Sequence, residues 1–148
     1  MSDDQGSETK VAQKLPVLVW LRLARVFQKM DHASSDALRR WNLSTAQFDV
    51  LAQLGQAEGI TQQELADRLL VTKGNICQLL NRMEQSGLIR RQQEGRANRL
   101  FLTVEGRALF NEVVPVEEAV LVEQFAALTL DEQRQLLALL RTLDHALL

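Results

Sequence analysis

Apolar residues recur along this chain at three- and four-residue spacings, in runs separated by a few capping and turn residues. Three runs open with a capping box, in which a Ser or Thr caps the first turn and an amide or acid three residues later caps back. These are Ser44-Thr45-Ala46-Gln47, Thr61-Gln62-Gln63-Glu64 and Thr129-Leu130-Asp131-Glu132. The pattern predicts a first long helix over 15–40, opened by Pro16 near its first turn, where a missing N–H costs nothing. A second helix spans 45 to about 56, with Phe48, Leu51 and Leu54 at helical spacing, and Gly55 and Gly59 break the period. A third covers 62–69 and a fourth 73–85, ending at Gly87. Residues 88–103 read as a β-hairpin with its tip near Gly95. The helical period then returns through Leu109, Phe110, Val113, Val116, Val120 and Phe125, with Pro115 expected to kink this helix rather than end it. A leucine-rich last helix covers 130–147, and residues 1–10 are expected to form a disordered tail.

This order predicts a mainly α fold with a small β-hairpin wing. A winged helix-turn-helix core over about 44–105 lies between terminal helices at about 15–40 and 104–148, within a single domain over 11–148. Leu70-Val71-Thr72 forms the turn between the third and fourth helices, with Thr72 as the cap of the fourth. Ala66 is small where the two helices cross, and Ile76 supplies the matching apolar contact. On the fourth helix Ile76, Leu79, Leu80 and Met83 fall within an arc of roughly 100°, a stripe that faces the core. Lys73, Gly74, Cys77, Gln78 and Asn81 occupy the other side. Gln78 and Asn81 pair a donor with an acceptor as adenine's major-groove edge requires. Gly74 permits close backbone approach, and Lys73 stands where a phosphate would pass. A solvated helix face has the same composition, and the hairpin favours the DNA reading. There Arg90, Arg91, Arg96 and Arg99 lie within ten residues against Glu94 alone. An arginine beside a glycine at the tip suits a narrow minor groove, where negative potential is concentrated. Thr61, Gln62, Asn75 and Asn98 complete the candidate DNA-contacting set.

Charge sharpens this picture. The 148 residues carry a net charge of −2, unpromising for nucleic acid. By segment, however, 1–60 is neutral, 61–107 is +3 and 108–148 is −5, while 72–99 alone is +4. A basic head is therefore averaged with an acidic tail. Cys77 is the one cysteine, so an intrachain disulfide is excluded, and with only His32 and His145 in addition a metal site is nearly so. No phosphate loop or catalytic triad is present, so neither an enzyme nor a cofactor is expected. The most apolar run, Leu15 to Phe27, is 13 residues long and holds Arg22 and Arg25, too short and too charged to span a bilayer. The acidic start Met1-Ser2-Asp3-Asp4 is unlike an export signal, which suggests a cytoplasmic protein without a membrane partner. The terminal helices have apolar faces too wide for a small head to cover, which implies a partner, and a second copy is expected. A two-fold dimer would present two reading helices to a pseudo-palindromic site, with half-sites about one helical turn apart.

From about Leu15 onward the chain resembles the MarR family of transcriptional regulators. The stretches that carry the resemblance are 43–51 (LSTAQFDVL), 60–66 (ITQQELA), 82–89 (RMEQSGLI) and 96–106 (RANRLFLTVEG), the last two bracketing the wing. The resemblance implies an obligate homodimer with interlocked first and last helices, a fourth helix in the major groove and a wing-tip arginine in the minor groove. The family's Asp-x-Arg wing motif reads Glu94-Gly95-Arg96 here, so support for Arg96 is expected to differ in geometry. Leu70 stands in the turn where many helix-turn-helix proteins have glycine, with strain of roughly 1 kcal/mol if its φ is positive. Relatives often release DNA on binding a small aromatic or phenolic anion between head and dimerisation helices. Trp20, Arg25, His32 and Trp41 are the candidates for that role here, although Trp20 also reads as interface core, Trp41 as packing and His32 as solvated. The resemblance thus implies a ligand-responsive repressor of double-stranded DNA. Two alternatives stand beside it. One is a winged-helix module that binds protein instead of DNA. The other is an oxidant-responsive regulator using Cys77, although Cys77 reads first as merely a small side chain.

Overall fold

The computed structural model describes residues 3–69 and 75–147. In chain order it forms α1 (Asp3–Leu38), a 3-10 turn (Arg39–Trp41), α2 (Thr45–Gln56), α3 (Gln62–Arg68) and α4 (Ile76–Gln85). An antiparallel hairpin β1 (Ile89–Glu94) and β2 (Ala97–Leu102) follows, then α5 (Val104–Phe125) and α6 (Leu130–Ala146). None of the described helices is long and apolar enough to cross a membrane.

All three capping boxes form, at the starts of α2, α3 and α6. In the last, Glu132 is held below its ordinary carboxyl value of 4.5, first by the Thr129 backbone N–H and then by the Thr129 side chain. A depressed carboxylate pKa stabilises the fold above its unfolded value, and that contribution is lost as pH falls through the lowered one. A carboxyl-detected NMR titration should therefore place Glu132 below 4.5, and Thr129→Ala should move it part of the way back.

Two boundaries differ from those the sequence suggests. Helix α1 begins at Asp3, so residues 3–10 are helical where a disordered tail was expected, and Pro16 lies inside the helix instead of opening it. Extending an existing helix adds a hydrogen bond for each residue ordered and needs no new nucleus. Pro16 removes only one such bond. Helix α4 begins at Ile76, and its cap is Asn75, whose Oδ1 accepts the Gln78 backbone N–H at 3.1 Å. Asparagine is among the strongest N-cap residues, so Asn75 takes the place that Thr72 was expected to hold. The Leu70-Val71-Thr72 turn, Lys73 and Gly74 lie outside the described residues. Helix α5 runs on through Pro115.

The core lies where α2, α3, α4 and the hairpin meet the end of α1 and the start of α5. Leu38, Val50, Leu51, Leu54, Leu65, Leu80, Met83, Leu100 and Val113 are fully buried there. Leu80 and Met83 are buried and Ile76 and Leu79 half-buried, as the α4 stripe predicts. The hairpin is tied to the α2–α3 loop by Gly59 N–H to Leu100 O (2.8 Å) and Leu100 N–H to Ile60 O (2.9 Å). At the other end of the hairpin, Thr103 caps α5 by accepting the Gly106 N–H at 3.0 Å while its hydroxyl donates to Gly87 O. Arg107 then clamps α5 to the end of α2, donating to Gly55 O and to the Glu58 carboxylate. Head and long helices are thereby joined at several points.

Candidate nucleic-acid interface

Burying the apolar stripe of α4 leaves its opposite side in solvent, where Cys77, Gln78 and Asn81 are all exposed. The wing stands beside this face. Glu94 and Ala97 are paired across the hairpin tip, and Gly95 between them has φ +63°, as the first central residue of a type II′ turn requires. The turn projects Arg96, exposed and without a hydrogen-bond or ion-pair partner among the described residues. An open groove of about 450 Å³ runs between wing and helices, lined by Thr61, Gln62, Gln63, Ala66, Ile76, Arg96, Ala97 and Asn98.

Several candidate residues turn out to brace this surface from within. Glu94 pairs with Arg99 and does not support Arg96, and Arg99 also donates to Gly59 O at 2.8 Å. The hairpin register explains this: Arg99 lies opposite Gln92 on the half-buried side of the ladder, within reach of the α2–α3 loop, while Arg96 sits in the turn itself. Arg90 stacks on Phe101, its cross-strand neighbour, at 4.3 Å and bonds Gln92. Arg91 donates to Asn81 Oδ1 at 2.7 Å. Gln62 Nε2 donates to Cys77 Sγ at 3.1 Å, and the Thr61 hydroxyl and Asn75 amide are engaged as helix caps. Gln78, Arg96 and Asn98 are left as the exposed groups without such ties among the described residues. Thr72, Lys73 and Gly74 fall outside the described residues.

Three of the four candidate effector residues lie along α1, and the fourth lies on the 3-10 turn that follows it. Trp20 and Arg25 are exposed on α1, and His32 is exposed with Asp36 at 3.6 Å. Trp20 lies roughly 120–140° around the helix from Arg25 and His32 at 100° per residue. Trp41 instead bonds Glu112 on α5 at 3.1 Å, with Arg40 stacked on its ring at 4.4 Å. Sequence reasoning missed this Trp41–Glu112 strap, since its partners are 71 residues apart. It also missed the buried acids Asp49 and Glu117, which carry no local signal of burial.

A three-helix head with an arginine-tipped hairpin beside an outward polar helix face defines a winged helix-turn-helix DNA-binding protein. A MarR family model matches residues 41–99. An uncharacterized HTH-type transcriptional regulator of Bacillus cereus is 36% identical over 128 residues, covering 86% of this chain and 87% of the relative. The HTH-type transcriptional repressor MdtR of Bacillus subtilis is 30% identical over 129 residues, covering 85% and 83%. A cysteine-to-serine mutant of MarR from Escherichia coli, solved in complex with operator DNA, superimposes with a TM-score of 0.79 at 27% identity, covering 88% and 96%. The chain belongs to the MarR family: it is a DNA-binding transcriptional regulator and not an enzyme.

Proposed function

We propose that the protein is a ligand-responsive repressor, acting in the cytoplasm as a homodimer on a pseudo-palindromic operator. The observation that carries the DNA-reading part is Arg96, exposed at the wing tip and without a partner among the described residues, beside the exposed Gln78–Asn81 face of α4. Helix α4 serves as the major-groove reader and Arg96 as the minor-groove contact, with Asn98 and the groove at Thr61 and Gln62 beside the phosphate path. The dimer reading rests on exposed apolar residues at both ends of the chain. Leu15, Leu18, Trp20 and Leu21 on α1, and Leu137, Leu139, Leu140 and Leu143 on α6, are exposed within one copy. The helices 15–40 and 104–148 then act as the dimerisation unit and 44–105 as the reading head. Repression is supported by likeness to MdtR, which is a repressor. The effector is a small aromatic or phenolic anion, taken up between head and long helices near Trp20, Arg25, His32 and Trp41 once two copies complete the site.

Fluorescence anisotropy with labelled DNA from the protein's own upstream region tests the reading. Affinity should fall about 10³-fold or more between about 50 and 200 mM salt, linearly in log–log form, as expected for release of counterions from six or more phosphates. Affinity that does not change with salt, or an absence of binding, would favour a protein-binding module instead.

A further inference from the structure

The reading face of α4 is not a row of independent side chains. Asn81 is exposed, yet its Oδ1 accepts an N–H from Arg91 Nη2 at 2.7 Å. Arg91 is itself held, with its backbone N–H on Glu84 Oε2 at 3.2 Å and its Nε buried. A guanidinium carries donors only, so the amide atom facing it must be oxygen. The Asn81 amide is therefore fixed in one of its two orientations, oxygen toward β1 and NH₂ on the opposite edge.

We propose that Arg91 is a positioning residue that makes Asn81 a hydrogen-bond donor to the major groove, selecting guanine and rejecting adenine at its base pair. This rests on α4 reading the major groove as proposed above, and it revises the adenine preference that the residue types alone suggest for Asn81. Bidentate recognition of adenine needs the amide oxygen to accept from N6 while the amide nitrogen donates to N7. Oδ1 keeps a second lone pair, but an adenine amino group brought to it would place a second positively polarised donor beside the guanidinium charge, which disfavours adenine there. Guanine presents N7 and O6, both acceptors, to the Asn81 NH₂ and to the positive field of Arg91. Gln78, exposed three residues earlier with no side-chain tie among the described residues, keeps both amide orientations open and can still read adenine.

Selection from a random double-stranded library, followed by affinity measurements on the selected sites, tests this in the full-length protein. Native sites should carry guanine at one base pair per half-site, where a change to adenine costs about tenfold in affinity. Asn81→Ala should abolish that preference, which locates the base pair. Arg91→Ala should cut the discrimination there to threefold or less while leaving the preferences at other positions intact, which also shows that the variant is folded. In an Asn81→Ala background, Arg91→Ala should change the discrimination no further. The proposal is overturned if Arg91→Ala retains the tenfold preference, or if the base at the Asn81 position is adenine. It is equally overturned if Arg91→Ala has the same effect with and without Asn81, because Arg91 then touches DNA directly. Selection of no sequence by the native protein overturns the DNA-reading proposal and this one together, whereas a selected site with an unaltered Arg91→Ala profile overturns this one alone.

Discussion

Gly106→Ala is expected to destabilise the protein by about 3 kcal/mol, the upper end of what overpacking costs, and to lower its melting temperature by about 10 °C. A Cβ at this position would lie 2.0 Å from the backbone oxygen of Leu88 and 3.4 Å from Leu102 Cδ2. The obstacle is main chain, and that main chain is already committed, since Leu88 O accepts the Thr103 N–H at 3.1 Å. Gly106 also donates its own N–H to the Thr103 cap, so relieving the clash by moving α5 would break the helix start as well. Gly87 offers the contrast. It has φ +75° with nothing within 4 Å of an added Cβ, so Gly87→Ala should cost only left-handed backbone strain, about 1–2 kcal/mol. Urea denaturation of both variants checks the order. A Gly106→Ala protein as stable as Gly87→Ala would mean that α5 is not seated on the hairpin as described.

Arg96→Ala is expected to weaken operator binding roughly 30- to 1000-fold, about 1–2 kcal/mol for each of two wings in a dimer. The residue is exposed at the tip and touches no described partner, so its removal should leave thermal stability unchanged. Arg99→Ala makes the discriminating comparison, because Arg99 holds Glu94 and Gly59 O and its loss should lower stability as well as affinity. Anisotropy titrations and melting curves on both variants separate the two roles. If Arg96→Ala binds its operator as tightly as the native protein, the wing does not enter the groove.

What could be read in advance follows from how far each signal reaches along the chain. The boxes at Ser44, Thr61 and Thr129 act within one turn, and α2, α3 and α6 begin where they say. The hairpin tip at Gly95 and the outward placing of Cys77, Gln78 and Asn81 are likewise local consequences of period and turn chemistry. Failures arose where a competing local signal won, as when Asn75 capped α4, or where helix propagation overrode a proline, as at Pro16.

By itself, then, the sequence determined the periods, the caps and the face of α4 that must point outward, because each is a property of neighbours within a few residues. The tertiary structure alone decided which outward groups are free. Glu94 turned to Arg99, Arg91 to Asn81, Gln62 to Cys77 and Trp41 to Glu112. It also placed the Leu88 carbonyl where Gly106 can carry no side chain, and buried Asp49 and Glu117. Most of these pairings join separate elements, and their partners meet only after the core has set the distance and angle between those elements. A donor's identity is written in the chain, but the direction in which it donates is a result of packing.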